Sequence, residues 1–239
     1  MEFSRIGVIG AGTMGNGITQ ALAASGLEVV MTDVAAAPLE RAMGAISGSF
    51  DRLIKKAKLS ADQKAQAMGH IRTSTELAAA RDCNLVIEAA TENLELKLKI
   101  FRQLDELLPA GTVIASNTSS ISITRLAAAT KRPAKVIGMH FFNPVAVMAL
   151  VELIRGLQTS DETYAAVEAL VKKIGKSPVQ VKNSPGFVVN RLLCPMINEA
   201  IFALGEGLAT AEQIDEAMKL GANDPIGPLA LADLIGLDV

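Results

Sequence analysis

A glycine-rich loop near the N-terminus constrains the fold of this chain more than any other feature. The loop is Gly10-Ala11-Gly12-Thr13-Met14-Gly15, and it follows directly on the apolar run 6–9. A G-x-G-x-x-G loop that leaves a strand and opens a helix lets the backbone turn tightly, and it presents the unpaired N–H groups of the helix to a pyrophosphate. The loop therefore predicts a dinucleotide site.

An acidic residue about twenty positions after the loop narrows the choice of cofactor. Asp33 follows a second β-rich run, 28–32, where a carboxylate can accept hydrogen bonds from the adenosine ribose. The same charge would repel a 2′-phosphate, which favours NAD over NADP. FAD shares the loop but is usually bound by longer chains. The other alternative is a glycine turn that binds nothing, with Asp33 only solvated.

The β-rich runs alternate with helical patterns over the first two-thirds of the chain. This alternation predicts an α/β fold with a Rossmann-type, doubly wound and mainly parallel sheet. After the turn residues 183–186 only helical spacing continues, so we predict an NAD-binding domain over 1–182 and an all-helical domain over 183–239. The apolar pattern of residues 231–239 has no polar tail, and we expect the helical domain to be truncated.

Composition excludes several classes of function. The net charge is −2, there is no Trp and there is one Tyr, so neither a general attraction to nucleic acid nor an aromatic stacking platform is expected. Cys83 and Cys194 form no disulfide framework, which favours a reducing, cytoplasmic location. No apolar run is long enough to span a bilayer. We expect neither a membrane partner nor a metal site.

The two histidines lie in different sequence environments. His70 lies in a polar helical stretch and is expected to be a solvated surface residue. His140 ends an apolar strand, at the edge where an open α/β sheet places its ligands. Glu152 lies among apolar residues on the next β-rich run, where a carboxylate needs a partner. We predict that His140, oriented by Glu152, accepts a hydroxyl proton while hydride leaves for a nicotinamide.

Two further polar segments allow two interpretations each. The run 116–120 (Ser-Asn-Thr-Ser-Ser) follows a strand, and its small polar groups could hold a substrate oxygen or could cap the helix that starts near Ile123. Asn190 begins the helical domain and could reach a domain cleft or lie on the helix surface. The residues alone leave both questions open.

Four motifs, in their order and spacing, resemble the 3-hydroxyacyl-CoA dehydrogenase family over essentially the whole chain. They are the glycine loop 10–15, the segment 116–120, His140-Phe141-Phe142-Asn143-Pro144, and the segment 185–191. The run from Pro144 through Met148 and Val151 to Glu152 is most similar to the bacterial members that act on 3-hydroxybutyryl-CoA. The resemblance implies a reversible, NAD-dependent oxidation of an (S)-3-hydroxyacyl-CoA to the 3-ketoacyl-CoA.

The resemblance also implies roles for individual residues. The catalytic set is His140, Glu152, Ser119 and Asn190, and the NAD contacts are Gly10, Ala11, Gly12, Thr13, Met14, Gly15, Asp33, Glu92, Lys97, Ser119 and Asn143. The CoA contacts are Ser49, Arg52, Lys56 and Ser119. A homodimer formed largely by the helical domain is implied as well. The alternatives are a dehydrogenase of free β-hydroxyacids, which uses a catalytic lysine, and a non-catalytic NAD-binding protein.

Overall fold

One mixed sheet organises the larger part of the molecule; the structure is a computed structural model and describes residues 2–236. The strands of the sheet are β1 (Arg5–Ile9), β2 (Glu28–Thr32), β3 (Ile71–Ser74), β4 (Leu85–Glu88), β5 (Val113–Ser116), β6 (Val136–Phe141), β7 (Leu150–Arg155) and β8 (Ser177–Lys182). Their order is β3-β2-β1-β4-β5-β6-β7-β8, and every neighbouring pair is parallel except β6 with β7. The predicted doubly wound, mainly parallel sheet is confirmed.

The helices cover both faces of this sheet. They are α1 (Thr13–Ala24), α2 (Ala36–Lys55), α3 (Ala61–Gly69), α4 (Leu94–Leu107), α5 (Ile123–Ala127) and α6 (Asp161–Lys173). The buried residues of α1, α2, α3 and α6 belong to one apolar core, and those of α4 and α5 belong to a second core on the opposite face. Because both faces are covered, the central strands are continuous apolar runs without alternation.

The chain divides into two units after Phe187, and the second unit is helical. Its helices are α7 (Val189–Gly205), α8 (Ala211–Gly221) and α9 (Pro228–Ile235). The carboxylate of Asp215 accepts hydrogen bonds from the N–H groups of Leu229 and Ala230, which joins α8 to the first turn of α9. Capping boxes at Ser60 and Thr210 open α3 and α8.

One local prediction was wrong. The polar stretch around His70 is not one helix: α3 ends at Gly69, and residues 71–74 form the edge strand β3, which the polar side chains at its exposed positions had concealed. His70 is half-exposed, and its Nδ1 lies 2.8 Å from Oε1 of Glu28, so it is not simply solvated. This hydrogen bond lowers the pKa of Glu28 below its usual value. Helix α2 ends at Lys55, and Ala57 then turns the chain with a φ of 53°.

Among residues 2–236 no helix is both long enough and apolar enough to cross a membrane.

Candidate active site

A cavity of about 430 Å³ opens at the carboxyl ends of β1, β4, β5 and β6. It is lined by Gly12, Thr13, Met14, Ala89, Ala90, Thr91, Glu92, Lys97, Asn117, Ser119, His140, Phe141, Phe142 and Asn143. This edge is where open α/β sheets bind their ligands. Eight of the residues predicted to bind substrate or cofactor thus line one cavity: Gly12, Thr13, Met14, Glu92, Lys97, Ser119, His140 and Asn143.

The glycine loop has the geometry that its sequence predicts. Gly10 adopts a φ of 104°, in the region that favours glycine. A Cβ on Gly15 would lie 1.8 Å from the carbonyl oxygen of Gly10, so only glycine allows the helix to start this close to the strand. Gly12 precedes α1 without a side-chain cap, and the first turn of the helix has no acidic residue. The N-terminus of α1 therefore presents free N–H groups and partial positive charge to an anion.

A second cavity, of about 390 Å³, lies on the other side of the glycine loop beside Asp33. Oδ2 of Asp33 accepts a hydrogen bond from the N–H of Ala11 at 2.8 Å, which fixes the carboxylate against the loop. The hydroxyl of Thr32 is buried in the wall of this cavity and has no hydrogen-bond partner among the described residues. Two cavities that flank a helix N-terminus, with an acid in the second, fit the two nucleoside halves of NAD.

The predicted pair of His140 and Glu152 is formed across the antiparallel strands β6 and β7. The two residues are opposite each other in the register, and Nδ1 of His140 lies 2.7 Å from Oε2 of Glu152. Both side chains are buried, at 5% and 1% exposure. Because a carboxylate only accepts hydrogen bonds, Nδ1 carries the proton of this contact, and in the neutral imidazole Nε2 keeps its lone pair. The ring centroids of Phe142 and Phe187 lie 4.4 and 5.5 Å from that of the imidazole, and the two rings limit its movement.

Ser119 lies on the cavity wall and is bound to Glu92. Both the N–H and the Oγ–H of Ser119 donate to Oε1 of Glu92, at 2.5 and 2.8 Å, and the hydroxyl of Thr118 donates to the same carboxylate. The cap of α5 is Ser122, whose Oγ accepts from the N–H of Arg125. Ser119 is thus free of the capping role that the sequence had left open.

Lys97 has a buried partner that sequence reasoning missed. Its ammonium lies 2.6 Å from Oε2 of Glu88, and both side chains are almost completely buried. The hydroxyl of Ser116 donates to the same oxygen of Glu88 at 2.8 Å. The sequence held the same kind of signal for Glu88 as for Glu152, because each is a carboxylate in an apolar run.

Asn117 is a second residue that the sequence analysis did not single out. The pairing of β5 with β6 ends at Ser116 and Gly138, and beyond it Oδ1 of Asn117 accepts the N–H of Phe141 at 2.9 Å. This side chain ties the end of β5 to the residue after His140. Its sequence signal was its place directly after a strand, within the polar run 116–120.

The loop after Asn143 is held by Lys176. The ammonium of Lys176 donates to the carbonyl oxygens of Val145 and Met148, at 2.6 and 2.7 Å. Partial burial lowers the pKa of Lys176. Val145 also packs on Gly17 of α1, where a Cβ would lie 2.8 Å from its Cγ2. The loop that follows His140 therefore contacts α1 through Val145 and the residue before β8 through Lys176.

The remaining predicted residues lie elsewhere. Ser49 and Arg52 lie in the last turns of α2 and Lys56 follows the helix directly; Ser49 is half-buried and the two basic side chains are exposed. No ion pair involves Arg52 or Lys56 within the described part of the chain. Asn190 lies in the first turn of α7, in the second unit.

Comparison with known proteins identifies the family. The family model described as "3-hydroxyacyl-CoA dehydrogenase, NAD binding domain" matches residues 5–184, and the model of the C-terminal domain matches residues 186–239. The chain belongs to the 3-hydroxyacyl-CoA dehydrogenase family. The expected enzyme class, an NAD-dependent oxidoreductase, and the expected cofactor are confirmed.

Relatives in the family are similar over nearly the whole chain. A 3-hydroxybutyryl-CoA dehydrogenase of Clostridioides difficile is 49% identical over 98% of this chain and 84% of its own length. A 3-hydroxyadipyl-CoA dehydrogenase of Escherichia coli is 44% identical over 98% of this chain and 49% of its own length. The crystal structure of (S)-3-hydroxybutyryl-CoA dehydrogenase from Ralstonia eutropha superposes with a TM-score of 0.96 at 62% identity, covering 99% of this chain and 84% of that one.

Proposed function

We propose that the protein catalyses the reversible NAD-dependent oxidation of (S)-3-hydroxyacyl-CoA to 3-ketoacyl-CoA, with 3-hydroxybutyryl-CoA as its substrate. The observation that carries the proposal is the buried pair of His140 and Glu152, because His140 lines a cavity that residues 12–14 of the glycine loop also line. A base beside a nicotinamide site is what hydroxyl oxidation requires. The names of the relatives in Clostridioides difficile and Ralstonia eutropha support the four-carbon acyl group.

In the proposed mechanism, Nε2 of His140 is the atom that accepts and returns the proton. In oxidation this nitrogen accepts the proton of the substrate hydroxyl, and in reduction it returns a proton to the keto oxygen. Glu152 holds Nδ1–H and stabilises the imidazolium that forms when Nε2 is protonated. NAD, when bound, supplies the hydride acceptor.

Ser119 and Asn190 are the proposed partners of the substrate oxygen. The hydroxyl of Ser119 lies on the wall of the same cavity as His140 and donates a hydrogen bond to Glu92. The role of Asn190 rests on the motif at 185–191. Donors aimed at a developing oxyanion would lower the barrier in both directions.

The cofactor and the CoA portion have separate proposed contacts. The residues proposed for NAD are the loop 10–15 together with Asp33, Glu92, Lys97, Ser119 and Asn143. Asp33, already fixed by the N–H of Ala11, is the proposed partner of the adenosine ribose. Arg52 and Lys56, which have no acidic partner among the described residues, are proposed with Ser49 to bind the phosphates of CoA.

One assay tests the activity. NADH consumption is followed with acetoacetyl-CoA, with free acetoacetate and without substrate. The proposal predicts turnover with the thioester alone. Turnover with free acetoacetate would instead indicate a β-hydroxyacid dehydrogenase, and NADH binding without turnover of either compound would indicate a non-catalytic NAD-binding protein.

We also propose a homodimer in the cytoplasm. The helical unit exposes large apolar side chains, among them Leu192, Phe202, Leu220 and Leu234. A protein interface would cover such side chains, and this observation supports the dimer. Sedimentation equilibrium that gives the mass of one chain at micromolar concentration would contradict the dimer, and fractionation of cells tests the location.

A further inference from the structure

Glu88 is a buried carboxylate that the proposed mechanism does not use. It ends β4, and its exposed fraction is 0%. Oε1 accepts the N–H of Ala90 at 2.9 Å, and Oε2 accepts the ammonium of Lys97 and the hydroxyl of Ser116 at 2.6 and 2.8 Å. Three donors thus satisfy both oxygens of this buried carboxylate.

The position of Lys97 explains why this anion matters for binding. Lys97 has an exposed fraction of 1%, yet it contributes to the wall of the cavity that contains His140. An ammonium this deeply buried needs a counter-charge, and Glu88 supplies it at 2.6 Å. Glu92, the other carboxylate within reach, is 3.6 Å from the ammonium and half-exposed.

Glu92 also has donors of its own, which belong to the segment after β5. It accepts hydrogen bonds from Thr118 and from both donors of Ser119. If Glu88 lost its charge, Glu92 would be the nearest anion to Lys97, and the ammonium would be attracted toward it. Glu88 and Glu92 therefore compete for the same ammonium, and Glu88 is the nearer of the two.

We propose that Glu88 is a positioning residue for cofactor binding: it fixes the ammonium of Lys97 at the cavity wall, where Lys97 would help to hold NAD. This inference rests on the proposed function, which places NAD in this cavity. A purely structural role, in which the pair only holds α4 against β4, makes a different prediction. It predicts lower stability without a specific loss of NADH affinity.

A double-mutant cycle separates the two roles. The variants are Glu88→Gln, Lys97→Met and the double variant, each measured for NADH affinity by the fluorescence of bound NADH and for thermal unfolding. We expect each single substitution to weaken NADH binding about tenfold or more, because each displaces or removes the same ammonium. The double variant should bind NADH within about twofold of Lys97→Met, because Glu88 acts through Lys97.

A second buried ion pair in the same unit supplies the matched control. Arg132 and Asp105 are joined at 2.7 Å with little exposure, and neither lines the two cavities beside the glycine loop. Asp105→Asn should lower the unfolding temperature and leave NADH affinity within about twofold. Equal losses of NADH affinity in Asp105→Asn and Glu88→Gln would overturn the proposal, since general destabilisation would then explain both.

Other outcomes are equally decisive. Additive losses of NADH affinity in the double variant, or unchanged NADH affinity in Glu88→Gln, would overturn the role proposed for Glu88 but not the proposed function. If Glu88→Gln does not fold, the comparison of Lys97→Met with the charge-neutral double variant still tests the expected equality. Absence of NADH binding by the unsubstituted protein would instead overturn the proposed function, and with it this inference.

Discussion

Nδ1 of His140 lies 2.7 Å from Oε2 of Glu152, directly across the antiparallel pair β6 and β7. This is the antiparallel pair in a sheet whose other neighbours are parallel, and it places the carboxylate and the imidazole at the same edge of the sheet. His140 also lines the cavity, and because Glu152 holds Nδ1, Nε2 is the nitrogen left for proton transfer.

The first prediction concerns His140. His140→Gln should lower kcat for acetoacetyl-CoA reduction by about 10²–10⁴-fold, because the proton donor is lost, while the Kd of NADH changes little. Steady-state kinetics and NADH fluorescence check the two parts. His70→Gln is the matched control, since His70 lies outside the cavity and pairs with Glu28. Equal losses in both variants would contradict the assignment.

The glycine loop gives a prediction that separates stability from binding. Gly15→Ala should destabilise the fold by about 1–3 kcal/mol or more, since its Cβ would lie 1.8 Å from the carbonyl oxygen of Gly10. The Cβ of Gly12→Ala would meet nothing within 4 Å, so this variant should keep the stability of the unsubstituted protein. It should nevertheless weaken NADH binding, because Gly12 lines the cavity. Denaturant unfolding and NADH titration measure the two effects. Normal NADH affinity in Gly12→Ala would show that the pyrophosphate does not approach this residue.

Cofactor choice should depend on the charge of Asp33. Asp33→Asn keeps an oxygen that can accept the N–H of Ala11, which the carboxylate accepts at 2.8 Å, but it removes the negative charge. We expect the ratio of kcat/KM for NADH to that for NADPH to fall, because the repulsion of a 2′-phosphate is removed. Parallel assays with the two cofactors measure the ratio. An unchanged ratio would mean that another group excludes NADPH.

The two thiols should react very differently. Cys83 is buried, and burial raises the pKa of its thiol to about 11, whereas Cys194 on α7 is exposed. At pH 8 a thiol reagent should therefore modify Cys194 rapidly and Cys83 only after denaturation, because the thiolate is the reactive form. Cys194→Ser should remove the rapid phase. Two rapidly reacting thiols in the native protein would contradict the burial of Cys83.

Lys176 should matter for the loop that follows Asn143. Lys176→Met keeps the aliphatic chain but removes both donors to the carbonyl oxygens of Val145 and Met148, so we expect a loss of stability of about 1–3 kcal/mol. Lys176→Arg keeps donors and should lose less. Denaturant unfolding of both variants measures the difference, and equal losses would show that the hydrogen bonds contribute nothing specific.

Much of this protein could be predicted from local sequence alone. The glycine loop, Asp33 and the alternation of strands with helices are short-range signals, since each depends on turn geometry or on the period of apolar residues. The contact between His140 and Glu152 could be predicted from the sequence, because both lie in apolar runs and a buried carboxylate needs a partner. The edge strand β3 was missed because its exposed side chains are polar and its length is only four residues.

Only the tertiary structure decided which side chains meet at the ends of the strands. Glu88, Lys97 and Ser116 come from β4, α4 and β5, and their contacts depend on the order in which the strands pair. The same holds for Asn117, whose amide replaces a ladder hydrogen bond where β5 and β6 separate. Spacing along the chain carries no information on such pairings, because they are fixed by the packing of the sheet and its helices as a whole. The sequence by itself determined the fold class and the cofactor loop, and the packed structure determined the network of charges around it.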